Sequence, residues 1–267
     1  MDKDISTITA TIVAVLLALS FIPQYQKLIS REDRYGISLN YLYYLAIPAT
    51  HHLTLFSIGL LHRNQGIILL SPTPYIDFVH LLVAFLGISG LILLCIPRPP
   101  TPRSDVTLFL ITFLIMTLGI TLFAHLLCLT ALFPLPFPLY ALATPFMQMM
   151  LLYAAVQQTS TTRALGDAGA LSTIGLVLQA VIFSIAGLLW LARVPVPRQN
   201  WGLPFPADLT IPFPRHIWWY GTVGWPFVSL EAYAGVQMYV YLVWRKVRRS
   251  REELEAGRAG ERDALLG

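Results

Sequence analysis

The stretch FIPQYQKLISREDRYGISL, residues 21–39, decides how the chain is organised, because VQQTSTTRALGDAGALS, residues 156–172, repeats its layout. In the first, an apolar run closes on Phe21-Ile22-Pro23-Gln24-Tyr25-Gln26-Lys27, a polar hairpin follows, and Tyr35-Gly36-Ile37-Ser38-Leu39 opens the next apolar run. In the second, Val156-Gln157-Gln158-Thr159-Ser160 leads through a polar hairpin containing Arg163 to Gly169-Ala170-Leu171-Ser172. Gln24 to Ser38 and Gln158 to Ser172 are both fourteen residues apart. Each hairpin joins the first two members of a group of three apolar runs.

Around these hairpins the composition is that of a membrane protein. The 267 residues are 56% hydrophobic and 12% charged, with a mean hydropathy of +0.65. Soluble domains carry about 25% charged residues, so a soluble globular domain is excluded. A helical span needs about 20 apolar residues, and the sequence offers seven such runs: 5–22, 38–61, 75–96, 106–130, 138–156, 171–192 and 217–244. The expected fold is therefore all-α, a polytopic membrane protein with seven transmembrane helices. Residues 1–97 form the first three-helix repeat, 98–133 a connector helix, 134–244 the second repeat and 245–267 a tail. Because three is odd, the connector brings both groups into the membrane with the same orientation. This 3+1+3 plan gives parallel repeats about an axis along the membrane normal. Prolines 195, 197, 204, 206, 212 and 214 exclude helix between the last two runs, and Trp201, Trp218 and Trp219 anchor that segment at headgroup level.

The formal net charge of +4 is spread between the apolar runs and in the tail, with no aromatic-interleaved basic patch, which argues against nucleic acid. Placing the C-terminus in the cytosol puts Lys27, Arg31, Arg34, Arg98, Arg103, Arg163 and the basic residues after Trp244 on one side. The positive-inside rule then assigns a lumenal N-terminus and a cytosolic C-terminus. Residues 5–22 read as a retained helix, since the preceding segment is acidic and no A-x-A cleavage site follows. Cys95 and Cys128 lie inside apolar runs without a CxxC partner, so neither a disulfide framework nor a zinc site follows.

At the hairpins the sequence resembles the PQ-loop repeat family, which contains cystinosin, the vacuolar and lysosomal cationic amino-acid exporters and the SWEET sugar facilitators. Pro23-Gln24, Lys27 and Gly36-Ile37-Ser38-Leu39 match well. The second copy is degenerate: Gln157 stands where the family has proline, and Gln158, Thr159, Leu171 and Ser172 agree. The resemblance implies alternating-access transport with hinges at Pro23 and Gln24 and at Gln157 and Gln158. Proline has no N–H and clashes with the carbonyl four residues back, which frees the Leu19 carbonyl; the glutamine is expected to satisfy backbone freed at membrane depth. Pro23 is thus either a hinge or the plain end of the first helix. The second repeat has Pro145 for a hinge, or bends less. Pro48 and Pro226 are candidates for ordinary kinks.

Ionisable groups near the midplane are costly and mark function. Glu231, five residues after Pro226, is the outstanding case, with Gly224, Phe227, Ala234 and Met238 on its helical face. Desolvation there favours the neutral acid, which suits a group that takes a proton from an acidic lumen and releases it inward. It could instead bind a cationic substrate. His51 and His52 sit mid-run, and neighbours lie about 100° apart around a helix, so at most one points fully into a central cavity. Asp77, three residues before His80, is either a first-turn carboxylate facing the helix dipole or a coupling acid. His125 reads as a packing residue of the connector, and Gln148 and Gln179 either line a path or bridge helices. No HExxH or HxxxH spacing occurs, so no metal or cofactor is expected.

The leading functional expectation is a small-solute transporter, not an enzyme: proton-coupled export of an amino acid from vacuole or lysosome. Its partners are a small-molecule substrate, protons and the lipid bilayer. Alternatives are a SWEET-like sugar facilitator, a seven-helix sorting receptor of the KDEL-receptor kind, or an integral-membrane terpene cyclase, which lacks the helix-2 carboxyl it needs because His51 and His52 stand there. A retinal protein is excluded by the absence of lysine within the last run. Glu261, Leu265 and Leu266 fit an acidic dileucine motif for a clathrin-type adaptor, which predicts delivery to the vacuolar or lysosomal membrane.

Overall fold

The computed structural model describes residues 3–61, 74–129, 143–193 and 225–266, and every regular element among them is helical. In chain order these are α1 (Lys3–Ser20), α2 (Ile22–Ser30), α3 (Leu39–Leu61), α4 (Pro74–Cys95), α5 (Arg103–Leu129), α6 (Thr144–Leu165), α7 (Thr173–Arg193) and α8 (Trp225–Leu266). Among the described residues four segments are long and apolar enough to cross a membrane: Thr7–Ser30, which runs through α1 and α2, Tyr75–Cys95, Asp105–Phe123 and Thr173–Ala192. Their outward faces expose rows of large apolar side chains, such as Leu108, Ile111, Ile115, Leu118 and Leu122 on α5. An apolar surface on that scale is unstable in water, so the protein is membrane-embedded. The proline-rich segment after Arg193, with Trp201, Trp218 and Trp219, lies outside the described residues.

The remaining long helices, α3, α6 and α8, also bury polar side chains, among them Thr50, His51, His52, Gln158, Ser229 and Gln237. The packing has a repeated order. α4 packs on both α1 and α3, and α8 packs on both α6 and α7. Between the two sets, α1 packs on α7 and α3 packs on α6. α5 packs chiefly on α3, held by the Tyr43 hydroxyl donating to the Phe109 carbonyl at 2.8 Å and by Thr54 and Thr121 at 3.1 Å. Polar contacts are needed there because lipid tails are as apolar as the helix faces and supply no hydrophobic drive between helices.

Two prolines open helices. The first span breaks at Phe21, and Pro23 occupies the first turn of α2. Pro145 likewise occupies the first turn of α6, where its missing N–H needs no partner. α6 then runs unbroken through Gln157 and Gln158 to Leu165, and the chain that leads into Pro145 lies outside the described residues. α8 also continues without a break from the apolar run into the basic tail, a 42-residue helix about 63 Å long. Its exposed Arg248–Glu252 and Arg251–Glu255 pairs, at 2.7 and 2.9 Å, contribute little by themselves. Glu261, Leu265 and Leu266 fall on the last turns of α8, and their side chains lie outside what is described.

Candidate functional site

The two hairpins lie together at one end of the bundle and exchange their glutamines. Gln24 donates through Nε2 to the Ala170 carbonyl at 3.0 Å and accepts at Oε1 from the Ser172 amide at 2.6 Å. Gln158 does the same in return, donating to the Gly36 carbonyl at 2.6 Å and accepting from the Ser38 amide at 3.1 Å. Donors and acceptors correspond under one constant offset of 134 residues, from Gln24 to Gln158, Gly36 to Ala170 and Ser38 to Ser172. The same offset relates the turns, with Ile37 N–H to the Arg34 carbonyl at 2.9 Å and Leu171 N–H to the Ala168 carbonyl at 3.0 Å. It relates the helix caps as well. Ser38 Oγ accepts from the Tyr41 amide at 3.4 Å and Ser172 Oγ from the Gly175 amide at 3.1 Å, each serine closing the exposed first turn of the helix that follows.

The backbones touch where the hairpins cross. Gly36 has φ +97° and Gly169 φ +56°, and a Cβ on Gly36 would lie 2.5 Å from the Ala168 carbonyl oxygen. Only glycine combines a left-handed conformation with so close an approach. The correspondence fails at these glycines, since Gly36 answers to Ala170 and Gly169 to Tyr35, and at one carbonyl cap. The Leu171 carbonyl is capped by Lys27 of the opposite hairpin at 2.7 Å, whereas its counterpart, the Ile37 carbonyl, is capped by Arg34 of its own at 3.1 Å.

Gln24 therefore does not turn back on the carbonyl freed at Leu19; its whole amide is spent on the other hairpin. Near the break it is Gln179 of α7 that reaches the Ser20 carbonyl, at 3.5 Å. The break is buttressed on its other side by α4. The Phe21 ring lies so close to Gly87 that a Cβ there would be 2.6 Å from it, and the Tyr25 hydroxyl donates to the Gly87 carbonyl at 2.8 Å.

Immediately inside the hairpins is a cavity of about 20 Å³. Phe21, Gln24, Tyr41 and Leu91 line it from one set of helices, and Leu171, Gln179, Phe183, Tyr233 and Gln237 from the other. It has room for about one water, so a solute requires the helices to part. Its polar groups are uncharged and already paired: Tyr41 donates to Gln237 Oε1 at 2.8 Å, and Tyr233 to the Leu45 carbonyl at 2.5 Å, in the turn of α3 before Pro48.

Farther from the hairpins a second polar group joins α3, α6 and α8. His52 Nε2 meets Gln148 at 2.9 Å and also Ser229, while Gln148 donates to Ser229 at 2.5 Å. His51 Nε2 meets Thr144 at 2.9 Å. Both histidines are fully buried, and both point between helices rather than into the cavity. His52 Nδ1 and Gln148 Oε1 are buried without a hydrogen-bond partner. Gln148 is thus a bridge between helices, and Gln179 a cavity residue. Glu231 is elsewhere: half-buried on the seam between α7 and α8, it accepts at Oε2 from Ser184 at 3.0 Å, while Oε1 is unpartnered against Gly187. Asp77 and His80 are buried in the first turns of α4, and His80 Nε2 meets the Ala10 carbonyl of α1 at 2.8 Å. Of His125 only the backbone, within α5, is described.

The structure thus brings Gln24 and Gln158 together through the hairpins and His52 together with Gln148, and leaves Glu231, Asp77 and His80 apart from both. Tyr41, Tyr233, Gln237 and Ser229 escaped the sequence reading, because a tyrosine or serine within an apolar run gives no signal of its partner. Among the described residues no three His, Cys, Asp or Glu side chains are grouped as metal ligands. No known protein family, no curated protein and no solved structure matches the chain.

Proposed function

We propose that the chain is a small-solute transporter of the PQ-loop kind, with seven spans in a 3+1+3 plan. α1 to α4 and α6 to α8 act as two parallel repeats that rock about an axis along the membrane normal. The carrying observation is the reciprocal glutamine exchange at a constant offset of 134 residues, with a cavity directly inside it lined from both sets of helices. An exchange of this form is a closure: four bonds hold one end shut and all break together when the halves part. The basic residues collected at this end, Lys27, Arg31, Arg34, Arg98, Arg163 and those after Trp244, support its assignment to the cytosol.

The solute we favour is an amino acid leaving an acidic vacuole or lysosome, with Glu231 as the proton-coupling group and the dileucine at the end of α8 as the sorting signal. A facilitator of a neutral polar solute, such as a sugar, is the second reading. It is favoured by the uncharged lining of the cavity and by the distance of Glu231 from it. The test is a panel of radiolabelled amino acids and sugars on vesicles reconstituted with the purified protein, with and without an imposed pH gradient. Amino-acid flux accelerated by inside acidity supports the first reading, and gradient-independent sugar exchange the second. Folded protein that moves neither class above empty vesicles overturns both.

A further inference from the structure

Outside the closed cavity there is an open groove of about 530 Å³ at the hairpin end, between α5 and α6 and over the start of α3. Arg34, Asn40, Ser160 and Thr161 form its polar rim, and Phe109 and Leu165 its apolar walls.

Arg34 is the unusual member. Its backbone amide donates to the Pro99 carbonyl at 3.0 Å, its Nε to Thr101 Oγ1 at 2.9 Å and its Nη1 to the Ile37 carbonyl at 3.1 Å. The guanidinium is therefore rigidly aimed, yet held only by neutral acceptors, with three of its five N–H groups uncommitted. Among the described residues Arg34 forms no ion pair, its side-chain hydrogen bonds going to neutral oxygens alone. Burial moves its proton affinity below the ordinary arginine value, but a guanidinium stays charged all the same. A half-buried, uncompensated cation favours an anion, and a planar fork of donors suits phosphate. Ser160 and Asn40 supply uncommitted polar groups beside it. Beyond the groove the outward faces of α5 and α6 continue as apolar surface, with Leu108 and Ile111 on one side and Leu152 and Val156 on the other.

We propose that this groove is a binding site for one anionic phospholipid, its phosphate on Arg34, Asn40 and Ser160 and its acyl chains against Phe109, Leu165 and the outward faces of α5 and α6. A soluble phosphate compound would use the rim and leave the walls bare; a lipid uses both. The site depends on membrane embedding and not on whether a solute is transported.

Native mass spectrometry of the purified full-length chain in detergent tests it, with phosphatidylserine and phosphatidylcholine offered in competition. The wild type is expected to retain one phosphatidylserine per chain, preferred about tenfold or more over phosphatidylcholine. Arg34→Gln is expected to lose that preference. Ala164→Trp, which fills the groove from the α6 side and keeps the Arg34 charge, is expected to lower occupancy by both lipids, and Arg249→Gln, an exposed charge on α8, to change nothing. Circular dichroism of each variant checks that the helices are intact. Unchanged preference in Arg34→Gln, unchanged occupancy in Ala164→Trp, or an equal loss in Arg249→Gln overturns the proposal. So does displacement of the lipid by millimolar inorganic phosphate, which would mark a site for a soluble phosphate compound.

Discussion

Replacing Gln158 by alanine removes two bonds across the hairpin crossing and leaves a half-buried Ser38 amide and a buried Gly36 carbonyl without these partners. A buried group left unsatisfied costs about 1–3 kcal/mol, and a bond that water can replace about 1 kcal/mol. Since the crossing lies at the end of the bundle, where opening admits water, the closed state loses about 2–4 kcal/mol relative to the open one. At about 1.4 kcal/mol per decade this moves the equilibrium roughly 30- to 700-fold toward open. Gln24→Ala should have a matching effect, because Gln24 makes the equivalent pair of bonds. The double variant should fall short of the sum, because one broken pair already lets the hairpins separate. Gln158→Glu should be worse than alanine, since it offers the Gly36 carbonyl an oxygen in place of a donor. The assay is labelling of a cysteine placed at cavity residue Leu91, in a background with Cys95 and Cys128 replaced, by a thiol reagent that cannot cross the membrane. Both single variants should label faster from the hairpin side. If they lower thermal stability while labelling stays at the wild-type rate, the glutamines are fixed structural ties and no gate exists at this end.

Gly36→Ala combines a left-handed conformation with a Cβ 2.5 Å from the Ala168 oxygen, and thermal unfolding should show a loss of about 2–6 kcal/mol. Pro23→Ala replaces a first-turn proline at a position where a helix needs no N–H; stability should change by less than about 1 kcal/mol while solute exchange slows, and unchanged exchange at matched expression would leave Pro23 as a helix end. Glu231→Gln keeps size and the Ser184 bond but removes titration, so acid-stimulated flux should be lost while gradient-free counterflow and substrate affinity persist. A loss of affinity would return Glu231 to the binding site. Leu265→Ala with Leu266→Ala should redirect a fluorescent fusion from the vacuolar or lysosomal membrane to the cell surface, and an unchanged location removes the dileucine from the account.

The pairing of the hairpins was legible because a repeated layout is visible in one dimension: two glutamines, two serines, one spacing. The partners were not. Gln24 was expected to repair the backbone beside it, since local bonds are what a sequence displays, yet its bonds reach 146 and 148 residues away and those of Gln158 reach back 122 and 120. Ser38 and Ser172 could have been read further, as caps of the helices that start one residue later. Nothing in the apolar run of α8 announces that Tyr233 and Gln237 meet α3. Such pairings depend on which helix faces align, and that follows from the packing of all of them.

The strongest single signal in the sequence, an acid in mid-span, is set apart from the cavity, whose polar lining is glutamine and tyrosine. Both residue types can donate and accept, so they can trade partners with one another and with a solute. Glu231 lies on the seam where α8 meets α7, and α7 has rigid connections at both places that matter: Ser184 bonds the carboxyl, and Ser172, at the cap of the same helix, accepts the grip of Gln24. The two serines are twelve residues apart, about 18 Å along one helix. In the proposed transporter, a change at the Glu231 carboxyl would alter how tightly α7 is held against α8, and α7 carries its half of the hairpin crossing at its other end. Coupling of that form needs no contact between proton and solute, only one element whose position both of them bias. This is why the loss of pH stimulation and the survival of affinity are expected together in Glu231→Gln.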